Sequence, residues 1–281
     1  MNSAQDAPVA PSYLAAAEQA GLLETLHGHA YVADTYQEPL LDEQQVLVEY
    51  CAPELLLDPS GMDELTALLL SANPDAAAVV VRTPGTVVLD ARWERQLTYV
   101  RHQGGPQGSD STPADVAVGL AVAERDDRVI AGWLARAFTD GVADQEVVAD
   151  AETVDAITEH YLHVPDRVSY VATRDGRPVG HATLLCAAHD NVTARDHIEL
   201  LDVLADLAEP ADRRSVTAAL TRAAIAHAER AGSPLIGHVV HPARGVAPGR
   251  GEAITGALVE QGWCVDHVYW RLDQGDVKDG A

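Results

Sequence analysis

Three carboxylates stand close together in the run 198–208 and at its start: Glu199, Asp202 and Asp206. The run is largely apolar and reads as a central strand. In a strand the two-residue alternation puts Asp202 and Asp206 on one face, unless one of them marks a bulge. An inward-facing carboxylate there can take a proton from a reacting group, and the bland alternative is a solvent-facing or interface surface. Among the twelve histidines, His181, His238 and His241 are best placed to titrate near neutrality, and His238 is the one we single out. Tyr269 and Tyr170 lie in strand-like stretches and carry hydroxyls that can return a proton, although a strand tyrosine is as readily a packed core edge. His160 with His163, and His238 with His241, have a spacing that suits a metal on a helix. No third or fourth ligand accompanies either pair, so no metal is expected.

These residues need elements to hold them. The stretch 1–11 has no apolar period and reads as a disordered tail. A mixed α/β unit follows over 12–102: a helix over 11–26, a strand over 45–50, a helix over 62–70 opened by Ser60 and Gly61, and strands over 77–82 and 86–90 joined by Thr83-Pro84-Gly85. The Gly- and Ser-rich stretch 103–113 reads as a linker. A second unit, 114–273, opens with a strand over 116–123. Two helices follow, one through Ile130, Trp133, Leu134 and Ala137 and one over 153–161. Strands over 168–173 and 178–185 flank Asp175-Gly176, a dipeptide suited to a tight hairpin turn. After the 198–208 strand comes a long helix over about 215–231, ended by Gly232. A strand over 235–240, a short helix over 253–261 and a strand over 263–272 complete the unit, leaving 274–281 as a second tail. The stretch Gly245 to Gly251 reads as a mobile loop, with Arg244 and Arg250 able to meet an anionic group as a lid.

With 281 residues, 47% of them hydrophobic, the chain can bury a core over two units. It carries 43 acidic against 19 basic residues, a net charge of −24. That field disfavours nucleic acid and anionic lipid as partners. Neither a basic start followed by an apolar stretch nor a run long enough to span a bilayer is present, and the three cysteines show no pairing or metal spacing. Both observations fit a cytoplasmic protein.

Several stretches, in order, resemble the GNAT superfamily of N-acyltransferases. The hairpin Tyr170-Val-Ala-Thr-Arg-Asp-Gly-Arg-Pro-Val-Gly-His-Ala-Thr-Leu184 is similar to the family's ligand-facing hairpin. Leu204-Ala-Asp-Leu-Ala-Glu-Pro-Ala-Asp-Arg-Arg214 resembles its central strand and the basic loop after it, and Ala257-Leu-Val-Glu-Gln-Gly-Trp263 its short helix closing on a Gly-aromatic pair. The resemblance covers Ala114 to Asp273. It implies an α/β (α+β) fold with a mixed, mostly antiparallel sheet flanked by helices, preceded here by a smaller α/β unit for which a shortened copy of the same design is one reading. It also implies an enzyme that transfers an acyl group from an acyl-CoA thioester to the amine of a small molecule.

The resemblance gives the remaining residues their roles. Two middle strands splay and the long helix points its amino end into the gap, where Arg213, Arg214, Ser215, Val216, Thr217 and Ala218 would meet the donor's pyrophosphate. Backbone N–H groups near Leu207 and Ala208 would polarise the acyl carbonyl. Asp202 or Asp206 would be the base, with His238 and Tyr269 as further catalytic candidates. The family's usual tyrosine position holds Leu258. The phosphate loop, normally glycine-rich, has no glycine, which leaves Ser215 or Thr217 to compensate by hydroxyl contacts. Two alternatives therefore stay open: the same fold using an aminoacyl-tRNA or carrier-protein thioester, and a non-catalytic module binding a metabolite or partner. The first unit would shape the acceptor site or a homodimer interface.

Overall fold

The computed structural model describes residues 8–104 and 115–278. Most of the proposed leading tail and nearly all of the 103–113 linker lie outside them. Ala10 is within: it is buried and its N–H donates to the Val192 carbonyl (2.8 Å). In chain order the elements are α1 (Pro11–Ala20), β1 (Leu23–Leu26), β2 (His29–Glu38), β3 (Glu43–Cys51), α2 (Pro53–Leu56), α3 (Pro59–Ala72), β4 (Ala78–Pro84) and β5 (Glu94–His102). They continue as β6 (Val116–Leu120), α4 (Ala123–Ala143), α5 (Ala151–Leu162), β7 (Arg167–Arg174), β8 (Arg177–Asp190), β9 (Arg195–Ala205), α6 (Pro210–Ala231), β10 (Leu235–Val240), α7 (Arg250–Glu260), β11 (Trp263–Asp273) and α8 (Gln274–Lys278).

All eleven strands join one sheet in the order β1-β2-β3-β4-β11-β5-β10-β9-β8-β7-β6. A single design occurs in it twice. β1, β2 and β3 form an antiparallel meander, α3 crosses over, and β4 returns parallel to β3. Likewise β7, β8 and β9 form an antiparallel meander, α6 crosses over, and β10 returns parallel to β9. The next strand of each half is exchanged: β5 pairs with β10, β11 pairs with β4, and the two exchanged strands pair antiparallel with each other at the centre.

Local sequence explains these elements. β4 is Ala-Val-Val-Val at its start, and burial of both faces of a central strand tolerates such a continuous apolar run. Val216, Leu220 and Ala224 recur along one buried stripe of α6 and pack on Ala182, Leu184, Ile198 and Leu200. α3 does the same in the first half, with Met62, Leu65 and Leu69 over Val46, Val48, Val79 and Val81. α4 covers the opposite face, where Ile130 and Leu134 meet Val171 and Leu201. Asp175 and Gly176 both have positive φ (51° and 73°), as a two-residue turn with right-handed strand twist requires.

Several boundaries depart from expectation. The residues after Ala20 extend as β1 instead of continuing the helix, because Gly21 adopts a left-handed conformation and closes α1. α3 is opened by Asp58, whose side chain accepts from the Ser60 N–H (3.1 Å), not by Ser60 itself. No strand forms over 86–90; the strand is β5, whose polar alternation Glu-Arg-Gln-Leu-Thr-Tyr-Val-Arg-His disguises a central position. α6 begins at Pro210, so Arg213 and Arg214 lie inside the helix and not in a loop before it. Residues 274–278 are helical where a tail is expected. Among the described residues no helix is long and apolar enough to cross a membrane.

Candidate functional site

β9 and β10 run side by side only from Ile198–Leu235 to Leu200–Gly237, after which β9 has no strand along that edge. At the same point β9 carries a bulge. Thr183 pairs with Asp202 and Leu184 with Leu200, leaving Leu201 as the extra residue. The sequence anticipates an irregularity at Asp202 or Asp206; it lies one residue before Asp202. The bulge has a chemical effect. Glu199 and Asp202 would point to opposite faces of a regular strand, whereas here both turn toward the α4–α5 side, Asp202 meeting His181 and Glu199 lining a cavity.

Two cavities lie on either side of the point where the strands part. A groove of about 860 Å³ runs along α6 and is lined by Asp202, Arg213, Arg214, Thr217, Ala218 and His238 among others. On the other side a cavity of about 370 Å³ is lined by Arg82, Tyr99, Glu199, His267 and Tyr269, with Val164 and Asp166 from the turn before β7. Glu199 and His238 stand between them, His238 Nδ1 lying 3.7 Å from Glu199 Oε1. That nitrogen is buried without a hydrogen bond. Tyr99 faces His238 across the β5–β10 pair, ring centres 5.7 Å apart, and stacks on His267 at 4.3 Å.

Electrostatics separates the candidate residues. Burial, then the charge of Glu199, pushes the Tyr99 phenol well above its ordinary range. Burial likewise pushes Tyr269 up to about 12, so both hydroxyls stay protonated at neutral pH. Asp206 is held low by a hydrogen bond from Arg136 (2.9 Å) and another from Trp133 Nε1 (3.3 Å). It therefore faces α4, away from the groove. Asp202 Oδ2 lies 2.9 Å from Nε2 of the fully buried His181 but off-line for a hydrogen bond. His181 stacks on Trp133 and its Nδ1 meets Thr183 Oγ1 (3.0 Å).

The donor-side residues of the sequence reading also separate. Arg213, Arg214, Thr217 and Ala218 line the groove. Val216 is fully buried in the core, and the Ser215 hydroxyl donates to the Ala211 carbonyl (3.1 Å), so neither faces a ligand. Leu207 and Ala208 lie beyond the end of β9 at Ala205, whereas the bulge, and with it the freed backbone edge, is at Leu201. Leu258 lines the groove. Nothing in the local sequence singles out Tyr99, which reaches the site from β5. Arg244 and Arg250 are engaged by Glu94 (2.7 Å) and Asp144 (3.1 Å), not free over a lid. Among the described residues no three His, Cys, Asp or Glu side chains converge as metal ligands.

The two crossover helices start differently. α3 is capped by the Asp58 carboxylate. α6 follows Glu209, whose side chain makes no cap, and its first turns carry Arg213 and Arg214. Unpaired N–H groups plus two guanidinium groups at the mouth of a groove fit an elongated ligand with an anionic portion.

No protein-family model matches the sequence, and no curated protein does either. Solved structures do. A GCN5-related N-acetyltransferase from Sphaerobacter thermophilus aligns over 88% of this chain and 78% of its own with a TM-score of 0.51 at 16% identity. A conserved protein of unknown function from Staphylococcus epidermidis aligns over 90% of this chain and 93% of its own with a TM-score of 0.50 at 12% identity. At such identities the likeness is one of fold.

Proposed function

We propose, from the GNAT fold as premise, that this chain is an N-acyltransferase that moves an acyl group from an acyl-CoA thioester to the amine of a small molecule. The observation that carries the reading is the parting of β9 from β10 after Leu200 and Gly237, with an arginine-lined groove at His238 on one side and a polar cavity at Glu199 on the other, the two side chains 3.7 Å apart. The groove suits the donor: Arg213, Arg214 and the uncapped start of α6 would hold its phosphates, with Thr217 and Ala218 along the wall. When bound, the thioester supplies an activated acyl carbon.

The chain's own residues do the rest. Glu199, which lines the smaller cavity, takes the proton from the acceptor ammonium there. The freed amine forms the C–N bond as the thioester C–S bond breaks. His238 lines the groove and is the side chain we assign to return a proton to the leaving sulfur. The edge of β9 freed at Leu201 supplies backbone donors for the carbonyl oxygen, in place of Leu207 and Ala208. Tyr269 would wall the acceptor cavity. The first half reads as a shortened copy of the second that no longer binds donor, its helix start being filled by Asp58. A reducing, cytoplasmic setting suits the three free cysteines.

The test is calorimetric titration of acetyl-CoA into the wild-type protein and an Arg213→Ala/Arg214→Ala variant. Expected is micromolar binding, weakened about tenfold or more in the variant by loss of two charge-assisted contacts. No binding at millimolar acetyl-CoA would redirect the reading to a carrier-protein or aminoacyl-tRNA donor, the alternative that the glycine-free sequence around α6 keeps in play.

A further inference from the structure

Besides Glu199 the smaller cavity is lined by two carboxylates for which the reaction above has no use, Asp190 and Asp166, and only Asp190 is held by an arginine. Asp166, in the turn between α5 and β7, lines the cavity, and its Oδ2 accepts from the Ala187 N–H (2.5 Å). The next residue, Arg167, pairs with Leu185, and Leu185 pairs with Glu199. Asp166 and Glu199 are therefore two strand spacings apart, about 10 Å at the backbone.

What lies around them decides which ligand fits. The one arginine in the wall, Arg82, is committed to Asp190 by two bonds of 2.7 Å. His189 is committed to Asp196 at 2.6 Å. Glu199 makes no hydrogen bond to a described residue, and His238 lies 3.7 Å from it. The Tyr99–His267 stack forms an aromatic surface in the same cavity, and the half-buried Tyr99 makes no hydroxyl hydrogen bond to a described residue. Two carboxylates without a fixed cation, an aromatic face and an unengaged hydroxyl complement two ammonium centres. The same surroundings repel a substrate carboxylate, since the available guanidinium is already neutralised.

We propose that the acceptor is a small aliphatic diamine, one amino group meeting Glu199 for transfer and the other held as an ammonium by Asp166 against the Tyr99–His267 face. The assignment rests on the acyltransferase reading for its chemistry but not for its binding. Asp166 is a specificity residue: it touches the non-reacting end.

The experiment pairs binding with turnover. 1,4-Diaminobutane, butylamine and the amino acid 4-aminobutyrate are titrated calorimetrically into wild-type protein and Asp166→Asn, and each is assayed for acetyl-CoA-dependent thiol release. Asparagine keeps an oxygen to accept from Ala187, and a thermal unfolding curve matching wild type shows that the fold is retained. The expected result is that diaminobutane binds at least about tenfold more tightly than butylamine, that Asp166→Asn removes that advantage, and that butylamine is unaffected. Turnover should follow the same order, the variant raising KM for the diamine with kcat retained. Equal binding of diamine and monoamine, preference for 4-aminobutyrate, or an Asp166→Asn protein that still prefers the diamine overturns the proposal. Diamine binding that depends on Asp166 without acetylation of any amine supports the cation site and removes the acyltransferase reading; acetylation that favours a neutral or acidic amine does the reverse.

Discussion

Glu199 and Asp206 show how little residue type alone decides. Glu199 lies within β9 and Asp206 just past its end, yet one makes no hydrogen bond to a described residue and the other is tied to Arg136 and Trp133. Glu199→Gln is expected to lower kcat about 100-fold or more with donor affinity unchanged, and Asp206→Asn to leave kcat within about twofold, both read by initial rates. The sequence supplied Asp202, His238 and Tyr269 near this junction because they lie on strands whose apolar neighbours are legible. It could not rank Glu199, because the bulge at Leu201 that brings Glu199 and Asp202 to one side is a property of pairing with β8, not of local composition. A second expectation concerns Arg82 and Asp190, whose side chains are only 10% and 13% exposed. Burial alone would raise the Asp190 carboxyl, but Arg82 more than offsets it and the net displacement is downward. Its contribution is therefore complete above the ordinary carboxylate value of about 4 and is lost as pH falls through the lower folded-state value. Urea unfolding followed by circular dichroism should show stability falling steeply below about pH 4, and Asp190→Asn should be less stable than wild type by about 3–5 kcal/mol at pH 7 with a shallower acid slope.

At the scale of elements, the contrast between α3 and α6 carries the most. The same meander, helix and parallel strand occur in each half, but only one helix start is left open. Asp58→Ala should cost about 1 kcal/mol of stability, measured by thermal unfolding, without changing donor affinity, since that carboxylate only satisfies the helix it opens. Elements with a continuous apolar stripe or a punctuating glycine were legible: α6 ends at Gly232 and the hairpin turns at Asp175-Gly176, as their backbone angles demand. β2 and β5 were not. β2 (His-Ala-Tyr-Val-Ala-Asp-Thr-Tyr-Gln-Glu) and β5 (Glu-Arg-Gln-Leu-Thr-Tyr-Val-Arg-His) carry few strongly apolar residues, so the period of two is faint. The early start of α6 was hidden because Glu209-Pro-Ala-Asp212 reads equally as a loop, although proline at the first helical position is a recognised opening.

For the whole molecule, the exchange of β5 and β11 binds the halves more firmly than a linker between them would suggest. Tyr99 reaches the candidate site on β5 from the first half, and Tyr269 reaches the side of Arg82 on β11 from the second. A fragment of residues 115–281 would lack the strand between β10 and β11. It should be unfolded or inactive alone and regain acyl transfer when co-expressed with residues 1–104, a result that size-exclusion chromatography and the thiol-release assay together would read. No stretch of β5 announces this, because which strand it pairs with is fixed by residues more than a hundred positions later. The same arrangement sets an order of events during synthesis. β5 is complete long before β10 and β11 exist to flank it, and β11 is the last of the eleven strands to be made. Until then the middle of the future sheet is two open edges on a growing chain, the form of strand most prone to pair with a neighbour. Closure is thus a late, long-range step, and its slowness is where expression temperature and chaperone supply will act on yield.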